Sequence, residues 1–426
     1  MRTLLINSIF ILGFTNLFAQ GSFMDLDRKT YEYYLKGDYK NLKNTGDSMI
    51  SLGIDYYYLR MRMGILAYNH QQYAASNRHF SKALELNSWD TLSQEYIYYS
   101  YLFAGREADA ILYLESIPWE EKNHSLKTIM RKGLTEINMG SSASGYKPTF
   151  YDYNDLYYEA VENSFSFNAG IEGNFSSRFK GTLAFTNFHK WGTSYSSYDP
   201  TGTNIDFAQN QIYGKLTRSF LPGWDISTYG QVAFYENVTN ETQQRNGSSL
   251  SQINAESVWG VGIAKNGWKV RTGFDFSYSN FSNFNNSSQL RIEAFLTYLP
   301  FGNLNLYATS GGMYQTDNNW GATYQINELV GLKTFKFLWL ETGLIMGNSF
   351  LYARNQGYTM NNSYQIPATT IYGNLIFLLG EQWNIALTPY YSKNLNYSWD
   401  LDAYTKTDEQ INKSMGGAIK LTFKFK

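Results

Sequence analysis

Apolar residues change their period once along this chain, and the change divides it in two. From residue 24 to about 140 they recur at helical intervals. Beyond residue 146 they alternate with polar residues. Phe165, Phe167, Ala169, Ile171 and Phe175 share one face of an extended segment, and Ser166, Asn168, Glu172 and Asn174 the other. Trp268, Val270, Thr272, Phe274, Phe276 and Tyr278 oppose Lys269, Arg271, Asp275 and Ser277. Leu290, Ile292, Ala294, Leu296 and Tyr298 oppose Arg291, Glu293 and Thr297, and Ile419, Leu421, Phe423 and Phe425 oppose Lys420, Thr422 and Lys424. Alternation sustained over so many segments predicts antiparallel strands with one apolar and one polar face.

The connections predict how such strands are arranged. Short turns fall at 176–178, Pro222-Gly223, Asn266-Gly267, Phe301-Gly302, Phe335-Lys336 and Glu381-Gln382. Longer polar stretches fall between them, at 192–204, 239–251, 279–288, 351–362 and 399–413. Tight turns at one end and long loops at the other characterise an up-and-down transmembrane barrel. Trp224, Trp268 and Trp383 each follow a tight turn on the apolar parity. There an indole sits at the membrane–water interface with its N–H among headgroups, so the three form a candidate girdle. Counting from a first strand at 147–156 gives about 14 strands, with about 12 or 16 left open by the stretches 192–210 and 318–334. The final "LTFKFK" resembles the terminal strand signal of outer-membrane proteins, but ends in Lys426 instead of an aromatic.

In the helical part, residues 64–87 ("GILAYNHQQYAASNRHFSKALELN") place Gly64, Ser76, Phe80 and Ala83 where two short crossing helices need small, small, large and small side chains. A shift of 34 residues forward brings Ala110, Leu114 and Ile117 to equivalent positions. The same shift back brings Leu42, Gly46 and Met49. Gly37, Gln71 and Gly105 keep the same spacing at the inter-helix turn. The pattern resembles the tetratricopeptide repeat, which implies about three helix pairs in a short solenoid. Its expected packing residues are Gly64, Ser76, Phe80, Ala83, Ala110 and Leu114. Residues 119–139, with Lys122, Lys127, Arg131 and Lys132, read as a polar capping helix.

The N-terminus adds a compartment. Arg2, the apolar run Leu4–Phe14 and the site Leu17-Phe18-Ala19 read as a cleaved secretory signal, and its tail "NLFAQ" resembles signal peptides of the Bacteroidota. The expected order is a signal peptide at 1–19, a periplasmic helical domain at 20–138, a linker at 139–146 and an outer-membrane barrel at 147–426. The fold class is an α-solenoid followed by a closed antiparallel β-barrel. Composition agrees: 37 Tyr, 28 Phe and 10 Trp against 7 Pro and no Cys, with 17% charged residues. A net charge of −1 offers no bulk attraction to nucleic acid, so none is expected as a partner.

Little in the sequence speaks for catalysis. His70, His79 and His124 lie in the helical region without metal-ligand spacing. His189 is the one imidazole of the barrel, and a barrel hydrolase would need it beside a nucleophile and an acid. No phosphate loop, dinucleotide fingerprint or HExxH is present, so neither an enzyme nor a cofactor or metal is expected. By parity, Lys269, Arg271, Asp275, Arg291, Glu293, Glu341, Lys420 and Lys424 point inward. So do Tyr229, Tyr235, Tyr307 and Tyr390, whose faces and hydroxyls suit sugar rings. Arg271, Asp275, Arg291 and Glu293 with these tyrosines are the candidate lumen lining.

Tetratricopeptide-like repeats ahead of an outer-membrane barrel resemble exopolysaccharide export porins, and also the YaiO family of barrels. The resemblance implies a conduit for a polymer such as an exopolysaccharide. A periplasmic protein or polymer would sit on the repeats, and outer-membrane lipid around the barrel. The alternative is a non-conducting anchor whose repeats recruit periplasmic partners for secretion or envelope assembly.

Overall fold

The computed structural model describes residues 23–122, 133–147, 156–196, 199–238, 253–281, 287–319, 321–349, 352–354, 356, 358–361, 366–400 and 405–425. The signal peptide, residues 123–132 of the expected capping helix and residues 148–155 of the proposed first strand fall outside these residues; residues 133–139 of the expected helix form part of a strand instead. The chain forms two compact units, one helical and one built of strands.

Six helices make the first unit: α1 at 23–35, α2 (Tyr39–Ser51), α3 (Tyr57–Asn69), α4 (Tyr73–Leu86), α5 (Thr91–Phe103) and α6 (Glu107–Ser116). Asp38 opens α2 by accepting from the Asn41 amide at 3.1 Å, and Asp90 opens α5 by accepting from the Leu92 and Ser93 amides. The 34-residue period is written in the backbone. Gly37 (φ 68°), Gln71 (φ 58°) and Gly105 (φ 70°) all occupy the left-handed region between the helices of successive pairs. Only Gln71 bears a side chain there, which costs about 1 kcal/mol or more. Gln71→Gly is therefore expected to stabilise the helical unit by about 0.5–1 kcal/mol, read from the urea midpoint of its far-UV signal.

Close helix crossings explain the small residues. A Cβ on Gly64 would stand 2.9 Å from the Phe80 ring, and one on Gly46 would stand 2.4 Å from Met63 Sδ. Ser76, Phe80, Ala83 and Ala110 have no solvent exposure, and Leu114 is buried. The six residues singled out by the repeat pattern thus all lie at helix contacts, in a succession of small cores typical of a solenoid.

The second unit is a closed antiparallel barrel of 14 strands. They are β1 (Gly133–Lys147), β2 (Leu156–Ser176), β3 (Phe179–Ser196), β4 (Asp199–Leu221), β5 (Trp224–Val238), β6 (Ile253–Asn266), β7 (Val270–Phe281), β8 (Ser287–Tyr298), β9 (Leu306–Asp317), β10 (Gly321–Phe335), β11 (Leu338–Gly347), β14 (Ile366–Leu379), β15 (Trp383–Asp400) and β16 (Thr405–Lys424). Two further short strands, β12 (Tyr352–Arg354) and β13 (Thr359–Asn361), pair only with each other. The barrel closes between β1 and β16, in register from Glu136 with Lys424 to Lys147 with Lys413.

Three expectations change here. Residues 139–146 are not a linker but most of β1, and residues 133–138, assigned to the helical domain, begin it. The strand was hard to read because its outward positions, Ser141, Ala143 and Gly145, are small. Its inward Ser142 and Ser144 bond Ser166 and Ser164 at 2.8 and 2.6 Å. The second change concerns 192–204, expected as a loop. β3 and β4 run on through it, so two residues separate them. Similarly, 399–413, expected as a loop, is largely strand, with four residues between β15 and β16, and β9 and β10 are three residues apart at the same end. Paired strands that outrun the bilayer meet water on both faces, which erases the alternation that marks them as strands. The third change, at 351–362, bears on the interior and is taken up below.

The apolar parity faces outward. Leu183, Phe185, Ile212, Phe276, Ile292 and Ile371 are among many large apolar side chains left exposed on the outer wall, each more than 40% accessible. Trp383 and Trp224 start β15 and β5 at the tight-turn end, and Trp268 lies in the turn before β7. Lys265 Nζ stands 4.7 Å above the Trp224 ring, and Trp383 packs on Phe423 at 4.6 Å. Trp191, Tyr278, Tyr314 and Tyr324 face outward towards the opposite end. The two aromatic bands are separated by about 8–12 residues of tilted strand, roughly 20–30 Å, the height of a hydrocarbon core. Among the described residues no helix is long and apolar enough to cross a membrane. The barrel spans one instead, and this is the architecture of an outer-membrane protein.

Candidate pore interior

The inner wall is polar and divides by chemistry. Over β14–β16 and β1–β2 it is neutral except towards the tight-turn end, where Glu172, Lys420 and Lys424 stand. Thr370 and Ser392 share a bond of 2.9 Å, Ser392 donates to Asn394 at 2.9 Å, and Asn394 donates to Ser414 at 3.1 Å. The serine pairs of β1 and β2 continue this surface. Over β4 and β5, Gln231 donates to Gln211 at 2.6 Å, and Gln211 to Gln209 at 3.2 Å. Charge gathers on β7 and β8, where Arg291 is buried 3.6 Å from Asp275 and 3.7 Å from Glu293. Opposite charges so close cancel most of each other's field, so this wall is no ring of one sign.

The inward tyrosines lie flat against the wall. A Cβ on Gly260 would stand 2.2 Å from the Tyr229 ring, and one on Gly331 2.2 Å from the Tyr307 ring. The same holds for Gly343 with Tyr372, at 2.2 Å, and Gly416 with Tyr390, at 2.5 Å. In each case the glycine is the tyrosine's cross-strand partner. Glycine is required there because any side chain would occupy the place of the ring. Two hydroxyls are already committed: Tyr229 donates to Asp275, and Tyr307 to Glu341, which also accepts from Asn374 at 2.7 Å. Tyr235 is buried beside Phe207, whose ring also carries Lys190 Nζ at 4.9 Å. All four candidate tyrosines therefore point inward, but as braces across glycines or as part of the wall. Tyr372 belongs to the same set and could have been found by the same parity.

The largest departure from expectation is the segment between β11 and β14. Taken from sequence as an external loop, it carries the β12–β13 hairpin into the lumen. Gln356, at its tip with φ 57°, accepts from Lys215 Nζ and donates to Ser227 Oγ at 3.1 Å, so it reaches β4 and β5 across the barrel. A Cβ on Gly262 would stand 2.7 Å from Gln356 Nε2 and 2.9 Å from Asp275 Oδ2, so that glycine leaves room for the tip. Tyr358 meets the Tyr213 ring edge-on at 5.1 Å, and Met360 is buried in a cluster with Ala233, Val258 and Phe281. The sequence signal was weak but present: Tyr358 and Met360 are apolar anchors in an otherwise polar stretch.

A cavity of about 690 Å³ adjoins the hairpin tip. Gln356, Lys215 and Ser227 line it on one side, Asp275, Glu293 and Phe295 on another, and Asn327, Leu329, Tyr372 and Asn374 opposite. Phe295 was passed over in the sequence because its neighbours on the inner face are charged. Its ring lies across Gly273 and stays 38% exposed to the lumen. Arg271 shares the inward parity, as do Lys420 and Lys424. His189 sits on the outward parity, stacked on Trp191 at 5.9 Å, away from any inward nucleophile or acid. Among the described residues no group of His, Asp and Glu is placed to hold a metal.

No protein family and no curated protein matches this sequence. Similar solved structures include a FadL homologue of Pseudomonas aeruginosa at 9% identity and TM-score 0.44, covering 69% of this chain and 90% of that one. A mutant of the TodX monoaromatic hydrocarbon channel has 7% identity and TM-score 0.46, covering 70% and 91%. A bacterial polysaccharide outer-membrane secretin has 8% identity and TM-score 0.38, covering 68% and 99%.

Proposed function

We propose that this barrel is a conduit for a neutral hydroxylated solute, a polysaccharide passing outward, and that the helical repeats hold a periplasmic partner or the polymer itself. The observation that carries the reading is the inner wall of β14–β16 and β1–β2. A hydrogen-bonded surface of Ser, Thr and Asn exchanges bonds with sugar hydroxyls at little net cost, and the charges on these strands, Glu172, Lys420 and Lys424, stand at its tight-turn end. The tetratricopeptide resemblance supports the role of the repeats, since such stacks present concave surfaces to partners.

A second reading has one observation in its favour. The hairpin fastened by Gln356 occupies the lumen, as a plug would in an anchor that conducts nothing. Proteoliposomes separate the two. The conduit admits a neutral trisaccharide severalfold faster than an acidic one of the same size. Impermeability to both, with the hairpin present and with it excised, leaves the anchor.

A further inference from the structure

Phe295 lies across Gly273 as the tyrosines lie across their glycines, but it has no hydroxyl to spend on the wall as Tyr229 and Tyr307 do. It faces the lumen from β8 and borders the cavity of about 690 Å³. That volume falls within the range of small-molecule sites, about 300–1,000 Å³.

The polar atoms around the ring decide what fits. Asp275 is committed to Arg291 and Tyr229, and Glu293 to Arg291. Asp225, also on the cavity, accepts from Ser219 at 2.6 Å and from Asn266 at 2.7 Å. Arg291 is shared by two of these carboxylates, and Lys215 lines the same cavity. Asn327 adds a neutral acceptor: its Oδ1 is buried and, like Asp275 Oδ2, has no hydrogen-bond partner. A hydrocarbon would leave that oxygen unbonded and would strip water from Lys215 and three carboxylates, at a cost no dry ligand recovers. A pyranose has one apolar C–H face for the ring and equatorial hydroxyls for Asn327 and its neighbours.

We propose that the cavity is a binding subsite for one pyranose of a neutral saccharide, with Phe295 as its stacking platform and Asn327 as a hydroxyl acceptor. The proposal rests on the passage reading and names one contact of the solute beside the hairpin tip. Binding and passage are separate measurements, so each fails on its own.

The test uses the full chain in a zwitterionic detergent without a sugar headgroup. Maltotriose and tri-N-acetylchitotriose are the probes, followed by calorimetric titration and saturation-transfer NMR. At least one binds saturably. Phe295→Leu keeps the apolar volume but removes the ring, and weakens binding by about tenfold. Phe295→Tyr restores it to within about twofold, and Asn327→Ala costs severalfold. Heat-modified electrophoretic mobility shows that each variant barrel is folded. Absence of saturable binding by both probes overturns the proposal, as does unchanged affinity in Phe295→Leu, or toluene occupying the site where sugars do not. Saturable binding in a barrel that passes no trisaccharide sinks the conduit and leaves the subsite standing.

Discussion

Replacing residues 352–361 with a short Gly-Ser link raises the single-channel conductance of the barrel by about tenfold, because the space inside 14 strands exceeds what wall side chains fill. Barrels of about eight strands close on their own side chains, and those of about 16–18 enclose an aqueous channel. Here the interior would be open without the hairpin, and Gln356 carries the hairpin across to the far wall. The variant keeps all 14 barrel strands, so it is expected to fold and insert. Lys215→Ala removes one fastening and leaves the apolar seat of Tyr358 and Met360. It is expected to raise the open-channel noise more than the mean current. Planar-bilayer recordings of the three proteins decide the matter, and equal conductance with and without the hairpin would show that it obstructs nothing.

The sequence carried the barrel because lipid and lumen demand opposite chemistry from alternate residues. Wherever both demands act on a strand, as in β7 and β8, parity alone separated Phe274 and Ile292 from Asp275 and Arg291. It failed wherever one demand lapses. β1 faces lipid with Ser141, Ala143 and Gly145, so its outer face has too little hydrophobic contrast to show a period. The hairpin was illegible for a different reason. Its fold depends on partners about 130–140 residues distant, Ser227 and Lys215, and no local pattern records a bond of that range. The helical part was legible because its small residues answer a packing constraint: Gly46 on α2 admits Met63 of α3, and Gly64 on α3 admits Phe80 of α4. The interior was legible in position but not in role. The tyrosines point where parity places them, yet four of them are braces across glycines. Phe295 braces Gly273 in the same way but carries no hydroxyl, and composition gave no reason to notice it.

Acidification from pH 7 to 4 is expected to destabilise the helical unit by roughly 3 kcal/mol, through one buried imidazole. His79, on α4, is 4% exposed. Arg60 Nη1 lies 3.2 Å from its Nδ1, while the same guanidinium bonds Asp55 through Nε at 2.7 Å and Nη2 at 2.6 Å. An arginine can only donate, so His79 must accept at Nδ1 and carry its proton on Nε2. A second proton would place a cation in the interior, facing another. Burial first, and the Arg60 charge after it, hold the imidazole down at about 4, against 6.5 in the unfolded chain. The unfolded state therefore binds the proton first as pH falls. Stability is complete above about 6.5, declines between 6.5 and 4, and levels off below. Asp55, held below the usual carboxylate range by its bonds to Arg60, adds a loss of the same sign only below that window, as pH falls past 3.8. His79→Asn offers Arg60 an acceptor that does not titrate. It lowers stability at pH 7 by leaving a void, but flattens the slope between 6.5 and 4. Urea titrations of the helical far-UV signal at several pH values measure both slopes, and parallel slopes in wild type and variant would locate the acid sensitivity elsewhere.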